Sequence, residues 1–364
     1  MIPVSKPCIG DLELSYVSDA VKTGWVSSAG SYLQKFEQEF AAYHGVKHCI
    51  ALSNGTAALE VALHSVGIKS GDEVIIPSFT IMSVALAVIR IGATPVVVDV
   101  DEHTWNISAE SVAPALSEKV SAIIVVHGFG TPADMRPLME IARQNNLKII
   151  EDVAESTGSR YEGNLCGTFG DVASFSLYAN KLITTGEGGC VITNDEAIAE
   201  RARKYINLYF GTKERFSHEG IGFNYRMTNM QAALGCAQIT KIDHFISEKK
   251  RVGDIYKAHF KDAKAVRFVS LPSDHVYWMY TILLSDDVTI PATEIVQRLE
   301  QAGVGARSLF KGLHSQQPLQ GKIRNVGTHQ TTEHLYHKGL YLPSSLDLTE
   351  DDIGKVFETL MSLV

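Results

Sequence analysis

The sequence predicts an α/β protein with a mainly parallel sheet between helices, followed by a smaller C-terminal α+β domain. Short apolar runs rich in β-branched residues alternate with helical patterns from about residue 36 to about residue 241. That alternation is typical of a parallel sheet covered by helices. After about residue 247 a charged stretch is followed by a strand pattern and two helical patterns. We therefore predict a large domain at 1–245 and a small domain at 246–364.

The predicted strands of the large domain are short and mostly apolar, as expected for strands buried on both faces of a sheet. They lie at 48–52, 73–76, 94–98, 122–126 and 148–151, with helical patterns such as 56–65 and 135–145 between them. In the small domain, the charged run at 248–251 is predicted to begin a long helix. A strand at 276–284, a helix at 293–302 and a final helix after Leu348 follow.

Composition limits the class of protein. The chain has 364 residues, of which 45% are apolar and 20% charged, enough for a sizeable core. Its formal charge of -8 argues against a general nucleic-acid binder. The five cysteines are scattered and form no C-x-x-C pair, which argues against disulfides and structural zinc. Because neither a signal-peptide pattern nor an apolar run of about 20 residues is present, we expect a cytoplasmic protein without a membrane partner.

The first chemical motif is a strand that ends in Ser53-Asn54-Gly55-Thr56, where a helix opens at once. The free backbone N–H groups and positive dipole end of a helix N-terminus suit a phosphate. Gly55 would let the backbone approach that phosphate closely. The same residues also fit an ordinary capped helix, so the pattern alone leaves both interpretations open.

The second motif is a buried strand that ends in Glu151-Asp152. A carboxylate at the carboxyl edge of a parallel sheet lies where such folds bind ligands. Pyridoxal phosphate (PLP) needs an anionic group there, because it keeps the pyridine nitrogen protonated and makes the ring an electron sink. A solvated loop acid is the alternative interpretation of the same pattern.

The third motif is a strand that runs into Lys181, flanked by small and polar residues and followed by Gly186-Glu187-Gly188-Gly189. A lysine that forms a Schiff base must be partly desolvated, so that its amine is neutral often enough to attack an aldehyde. Ser176, five residues earlier, is placed to donate to a cofactor phosphate. A lone lysine is usually a surface charge, and the glycine-rich context weakens that alternative.

The fourth motif begins a helix rich in alanine, for which Thr228 or Asn229 is a suitable N-cap. Asn224 and Arg226 come just before it, where they can face an anion. From the residues alone this segment indicates a helix start with polar neighbours and no more.

Together and in this order, the four motifs resemble the DegT-type aminotransferases, fold-type-I PLP enzymes that act on nucleotide-linked sugars. The resemblance runs nearly end to end, from 24–28 to 341–345. It implies the fold-type-I transferase architecture, PLP as cofactor, L-glutamate as amino donor, and a homodimer whose active sites are shared between subunits. The shared blocks are 46–48, 53–56, 180–181, 184–189 and 223–229.

The resemblance also implies roles for single residues. Lys181 would be the Schiff-base lysine and proton shuttle, and Asp152 would pair with the pyridine nitrogen. Asn224 would reach the cofactor phosphate from the partner subunit. The implied cofactor contacts are Gly55, Thr56, Ile81, Asp152, Glu155, Ser176, Lys181 and Asn224. The implied substrate contacts are Trp25, Ser27, Ser28, Tyr178, Arg226, Arg307 and His314.

The chain departs from the family pattern at three places. Ile81 stands where the family usually has an aromatic residue that stacks on the cofactor ring. Ile81 still covers the ring by dispersion, so we expect weaker cofactor retention without loss of activity. An aromatic-rich segment is replaced at 213–218, and the proline after Arg307 is missing. Both of these regions adjoin the sugar nucleotide in the family.

The resemblance implies amination of a 4-keto-6-deoxy sugar nucleotide, with GDP-4-keto-6-deoxymannose as first candidate and GDP-perosamine as product. UDP- or dTDP-linked keto sugars, aminated at C4 or C3, are the alternatives. A PLP-binding regulatory protein and a sugar dehydratase of the same fold are rival classes, although that dehydratase branch has histidine where Lys181 stands. A nicotinamide oxidoreductase is disfavoured, since no G-x-G-x-x-G joins a strand to a helix.

Three further side chains raise a different interpretation. His329, His334 and His337 suggest a metal site, but a solvated helix face explains them better, and we predict no metal.

Trp25 and Trp278 are interpreted, from pattern alone, as packing residues rather than readers of a nucleotide base.

Overall fold

A computed structural model describes residues 1–211, 216–269 and 275–364. In this part of the chain the large sheet has eight strands, and seven of them run parallel. The exception is β9, which pairs antiparallel with both of its neighbours. In spatial order the strands are β1 (His48–Leu52), β9 (Gly189–Thr193), β8 (Val172–Ser176), β5 (Lys148–Asp152), β4 (Val120–Val126), β2 (Glu73–Pro77), β3 (Thr94–Val98) and β13 (Arg324–Val326).

Helices cover both faces of this sheet because successive strand residues point to opposite sides. In β4, Ile124 packs into a core on one face, whereas Ile123 packs into a core on the other. The predicted α/β architecture is therefore confirmed for the large sheet. Its helices are α1 (Asp11–Lys22), α2 (Ser31–His44), α3 (Gly55–Ser65), α4 (Met82–Arg90), α5 (Ala109–Val112), α6 (Met135–Gln144), α7 (Glu196–Tyr205) and α8 (Asn229–Ile239).

A second, four-stranded antiparallel sheet lies in the C-terminal part of the chain. Its side chains share a separate core with the C-terminal helices. In spatial order its strands are β10 (Val266–Phe268), β11 (Tyr280–Leu284), β14 (Gly339–Leu342) and β12 (Arg307–Ser308). The helices are α9 (Ile242–Phe260), α10 (Ala292–Gln301), α11 (Gln330–Lys338) and α12 (Glu350–Met361), and a small hairpin is formed by β6 (Arg160–Tyr161) and β7 (Asn164–Leu165).

Two predicted boundaries were wrong. Helix α9 begins at Ile242, not at the charged run 248–251, because Ile242 and Phe245 already supply its buried apolar face. Strand β11 begins at Tyr280, not at residue 276. The residues before it leave the sheet, and the N–H of Val276 donates to Ser159 Oγ at 3.1 Å instead. The division at residue 245 stays a prediction; α9 runs through it.

The parallel strands bring the predicted cofactor-binding side chains to one edge of the large sheet. The last residues of β1, β2, β5 and β8 and the segments that follow them carry most of the predicted cofactor residues, and the carboxyl ends of parallel strands meet at the same edge. Among the described helices, none has the length and apolar character needed to cross a membrane.

Candidate active site

A cavity of about 550 Å³ opens at the carboxyl edge of the large sheet, where it meets the C-terminal part of the chain. Most of the residues predicted to bind the cofactor line this cavity, although they come from motifs that are far apart in the sequence. The predicted residues that line the cavity are Gly55, Thr56, Ile81, Asp152, Glu155, Ser176, Tyr178 and Lys181.

One wall of the cavity is the N-terminus of α3. The Asn54 side chain caps this helix, since its Oδ1 accepts from the Ala57 N–H at 2.8 Å. The N–H groups of Gly55 and Thr56 occupy the first two helical positions, which have no acceptor within the helix. A Cβ built on Gly55 would lie 2.7 Å from Cβ of Ser176. The sequence therefore places glycine where the backbone and Ser176 form one narrow anion cradle.

We expect Gly55→Ala to weaken cofactor binding about 5-fold to 150-fold, because overpacking by one methyl costs about 1–3 kcal/mol. Titration of the cofactor-free protein with PLP, followed by absorbance, measures the change. Gly354→Ala is a matched control, since its Cβ would meet only His259 at 3.6 Å in ordinary contact. Equal affinity of Gly55→Ala and the parent protein would show that the phosphate binds elsewhere.

Lys181 is partly buried at the cavity floor, in the loop after β8. Its Nζ makes no hydrogen bond or ion pair with any residue that the structure describes, and it lies 3.9 Å from the centre of the Trp278 ring. Burial lowers the pKa of Lys181, and the charges of Glu155 and Asp152 oppose that change. A lowered pKa makes the neutral amine more available for nucleophilic attack and proton transfer.

Asp152 ends β5 and is only 4% exposed. Its Oδ1 accepts from the Ala154 N–H at 3.0 Å. Burial raises the pKa of Asp152, while that hydrogen bond and the charge of Lys181 oppose the change. A cation placed against this carboxylate would keep it ionised, because an opposite charge favours the charged form.

The neighbouring Glu151 has a different environment. Its carboxylate accepts hydrogen bonds from the N–H groups of Gly167, Phe169 and Gly170, each at 2.7 Å, and lies 3.0 Å from His127 Nε2. It is fully buried on the other face of the sheet from the cavity. Successive residues of a strand point to opposite faces of the sheet. Glu151 therefore binds the N–H groups of a loop, whereas Asp152 faces the cavity.

Glu155 also lines the cavity and accepts from the Phe129 N–H at 2.9 Å. Burial raises the pKa of Glu155 to about 7, although the charge of Lys181 lowers it. Glu155 can thus hold a proton near neutral pH and donate a hydrogen bond to a ligand oxygen.

Sequence reasoning missed the cavity wall that comes from the C-terminal part of the chain. Trp278, Phe310 and Tyr341 line the cavity together with Lys181. Trp278 was interpreted as a packing residue. The tryptophan is indeed 93% buried, but it also contacts Lys181. No local motif marks these three side chains, because only the tertiary fold brings them to the sheet edge.

The remaining predicted site residues do not line the cavity within this chain. The Asn224 Oδ1 accepts from Arg226 Nη2 at 2.8 Å. The main-chain oxygens of Trp25 and Ser27 accept from Asn229, and Ser28 follows them. Residues 213–215 of the predicted substrate-side segment lie outside the described residues.

The two predicted substrate contacts from the C-terminal part make other contacts. Arg307 is exposed and paired with Glu300. His314 Nδ1 lies 2.6 Å from Ser78 Oγ, and its ring stacks on His329 at 4.2 Å. Among the described residues, no group of three or more His, Cys, Asp or Glu side chains is arranged to hold a metal ion.

The sequence profile of the DegT/DnrJ/EryC1/StrS aminotransferase family matches residues 7–361. The chain belongs to that family. It is similar to the GDP-perosamine synthase of Escherichia coli O157:H7, with 38% identity over 99% of this chain and 97% of that protein. It is 39% identical to the GDP-perosamine synthase of Caulobacter vibrioides, again over 99% of this chain and 97% of the relative.

Among solved structures, the aminotransferase TlmJ from Streptoalloteichus hindustanus is 28% identical. It superposes with a TM-score of 0.92 and covers all of this chain and 98% of its own. These findings confirm the predicted family and the fold-type-I transferase architecture. The chain is a PLP-dependent aminotransferase.

The residues present fit PLP. The cavity supplies the amine of Lys181, the buried carboxylate of Asp152 and the narrow cradle of Gly55 and Ser176. An amine, a carboxylate and an anion cradle match the aldehyde, the ring nitrogen and the phosphate of this cofactor. Ile81, half exposed at the N-terminus of α4, lies at the rim of the same cavity.

Proposed function

We propose that the enzyme transfers an amino group from L-glutamate to a GDP-linked 4-keto-6-deoxy sugar, with GDP-perosamine as product. The reaction class rests on one observation, the partly buried amine of Lys181 in the same cavity as the Asp152 carboxylate. The sugar nucleotide is supported by the two relatives named GDP-perosamine synthase, whose sequences align over 97% of their length.

When bound, the cofactor supplies an aldehyde that takes up the amino group and a ring that withdraws electrons. The amine of Lys181 would remove the α-proton of glutamate and deliver a proton to the carbon of the cofactor's aldehyde group. The Asp152 carboxylate would hold the proton on the ring nitrogen. The N–H groups of Gly55 and Thr56, with Ser176, would hold the phosphate. Because each substrate reacts in its own half-reaction, the kinetics are ping-pong.

We further propose a homodimer in which Asn224 serves the partner's site. In support, Asn224 lies outside the cavity of its own chain, and Arg226 shares its exposed surface. Large apolar side chains nearby are also exposed: Ile221 by 86%, Phe223 by 39% and Trp25 by 56%. When such side chains form one contiguous patch, the patch commonly marks an interaction surface.

The test begins with the glutamate half-reaction alone. The holoenzyme is converted with L-glutamate, excess donor is removed, and the visible absorbance of the lysine-bound cofactor is followed. We expect glutamate to remove this absorbance and GDP-4-keto-6-deoxymannose to restore it. UDP- and dTDP-linked keto sugars are added in parallel as matched competitors.

Each outcome decides one part of the proposal. Faster recovery with a UDP- or dTDP-linked sugar would overturn the choice of nucleotide. Failure of glutamate to change the absorbance would overturn the donor. Unchanged absorbance with every donor and acceptor would leave a PLP-binding protein without turnover.

A further inference from the structure

The Lys181 amine contacts the face of the Trp278 indole ring. The amine nitrogen lies 3.9 Å from the ring centre, well inside the ~6 Å range of cation–π attraction. In the described part of the chain, neither Asp152 nor Glu155 comes within ion-pair distance of that amine. The three groups nevertheless share the cavity. The charge of a protonated Lys181 is therefore met by the face of an aromatic ring.

Two anchors fix the indole in this position. Its Nε1–H donates to the main-chain oxygen of Asn180 at 3.1 Å, so the ring is tied to the residue just before Lys181. The main-chain oxygen of Trp278 accepts from Lys249 Nζ at 2.8 Å. Lys249 donates a second hydrogen bond to the oxygen of Ser344 at 2.6 Å. The tryptophan is thus held from both its side chain and its backbone.

Lys249 is an unusual anchor because it is 95% buried in helix α9. Among the described residues it forms no ion pair with a carboxylate, and burial lowers its pKa to about 7. A buried amine is costly unless its donors are satisfied. Its partners are two backbone oxygens and the face of Tyr280, 5.3 Å from the ring centre. The hydrogen bond from Lys249 fixes the backbone of Trp278.

We propose that Trp278 is a positioning residue for Lys181, whose protonated amine docks on the indole face whenever it is free of the cofactor, and that Lys249 holds the indole there. The inference rests on the proposed acid–base role of Lys181. The ring stabilises the ammonium form and opposes the effect of burial. After it takes up a proton, the amine therefore stays beside the cavity floor until it returns that proton.

The test measures Lys181 itself, in the cofactor-free protein. An amine-reactive acylating reagent is applied over a range of pH, and labelling of the Lys181 peptide is quantified by mass spectrometry. Only the neutral amine reacts, so the profile gives an apparent pKa. We expect Trp278→Leu to lower it by about one unit, which increases labelling about tenfold at a pH below the pKa. Trp278→Phe keeps a ring and is expected to give a smaller shift.

Phe260→Leu is the matched control, because it also removes a buried aromatic ring, in a different core and outside this cavity. Thermal unfolding of every variant checks that the fold is kept, and Trp278→Phe preserves the test if Trp278→Leu does not fold. An unchanged profile, or a pKa that rises when the ring is lost, would overturn the proposal and leave the indole as a cavity wall.

The anchor is tested on the same helix. Lys249→Met is expected to shift the Lys181 profile in the same direction as Trp278→Leu, and by less. Lys250→Met removes the same charge from the next residue, which is half-buried and does not line the cavity, and should change nothing. An unshifted profile in Lys249→Met would remove Lys249 from the proposal.

The labelling result is independent of turnover. Borohydride reduction of the holoenzyme, followed by peptide mapping, shows whether Lys181 carries the cofactor. If another lysine carries it, the proposed function of Lys181 fails, whereas the docking of Lys181 on Trp278 is still measured by its pKa.

Discussion

Lys181→Ala is expected to reduce transamination about 10⁴-fold, at the upper end of what a positioned acid–base group contributes. The variant loses both the amine that joins the cofactor and the base that removes the α-proton. No other amine lines the cavity among the residues that the structure describes. Steady-state rates with glutamate and a keto sugar nucleotide measure the loss.

Lys69→Ala is the control, since Lys69 is exposed and lies away from the cavity. Cofactor binding should persist in Lys181→Ala, because the phosphate cradle and Asp152 remain. Turnover within about tenfold of the parent enzyme would contradict the role given to Lys181.

Asp152→Asn is expected to give the second-largest effect, a loss of turnover on the order of 10²–10⁴-fold. The amide keeps the size of the side chain but cannot hold a proton on the ring nitrogen, so electron withdrawal by the ring fails. Cofactor affinity should fall about tenfold to a hundredfold, the size of a lost hydrogen bond to a charged group. Half-reaction rates with glutamate separate the two effects.

Asp171→Asn provides a carboxylate control in the same sheet. Asp171 precedes β8 and pairs with Lys148 at the opposite edge from Asp152, outside the cavity. A half-reaction in Asp152→Asn as fast as in Asp171→Asn would show that Asp152 does not touch the ring nitrogen.

The strands of the large sheet were largely predictable because they are short, apolar and separated by clear helical patterns. The predicted strands at 48–52 and 94–98 coincide with β1 and β3. The start of α9 was not predictable from the charged run 248–251, because the apolar face of a helix marks its beginning better than its charges do.

The candidate site was predictable where its residues form local motifs. Gly55 and Lys181 follow strands of the parallel sheet and Asp152 ends one, and that topology brings strand ends together. Trp278 was not predictable as a cavity residue. It lies 97 positions after Lys181 in the sequence, and only the packing of the C-terminal part brings the two residues into contact. Local pattern also cannot say that Asn224 lies outside its own cavity.

Helix α9 has a consequence for how the molecule unfolds. Its first turns bury Ile242 and Phe245 in a core of the large sheet, and its later turns bury Val252 and Tyr256 in the core of the second sheet. Strand β13 then returns from the C-terminal part to pair with β3. Because one rigid helix and one strand belong to both halves, neither core can melt alone without exposing apolar surface of the other. The two cores are therefore expected to lose their structure together.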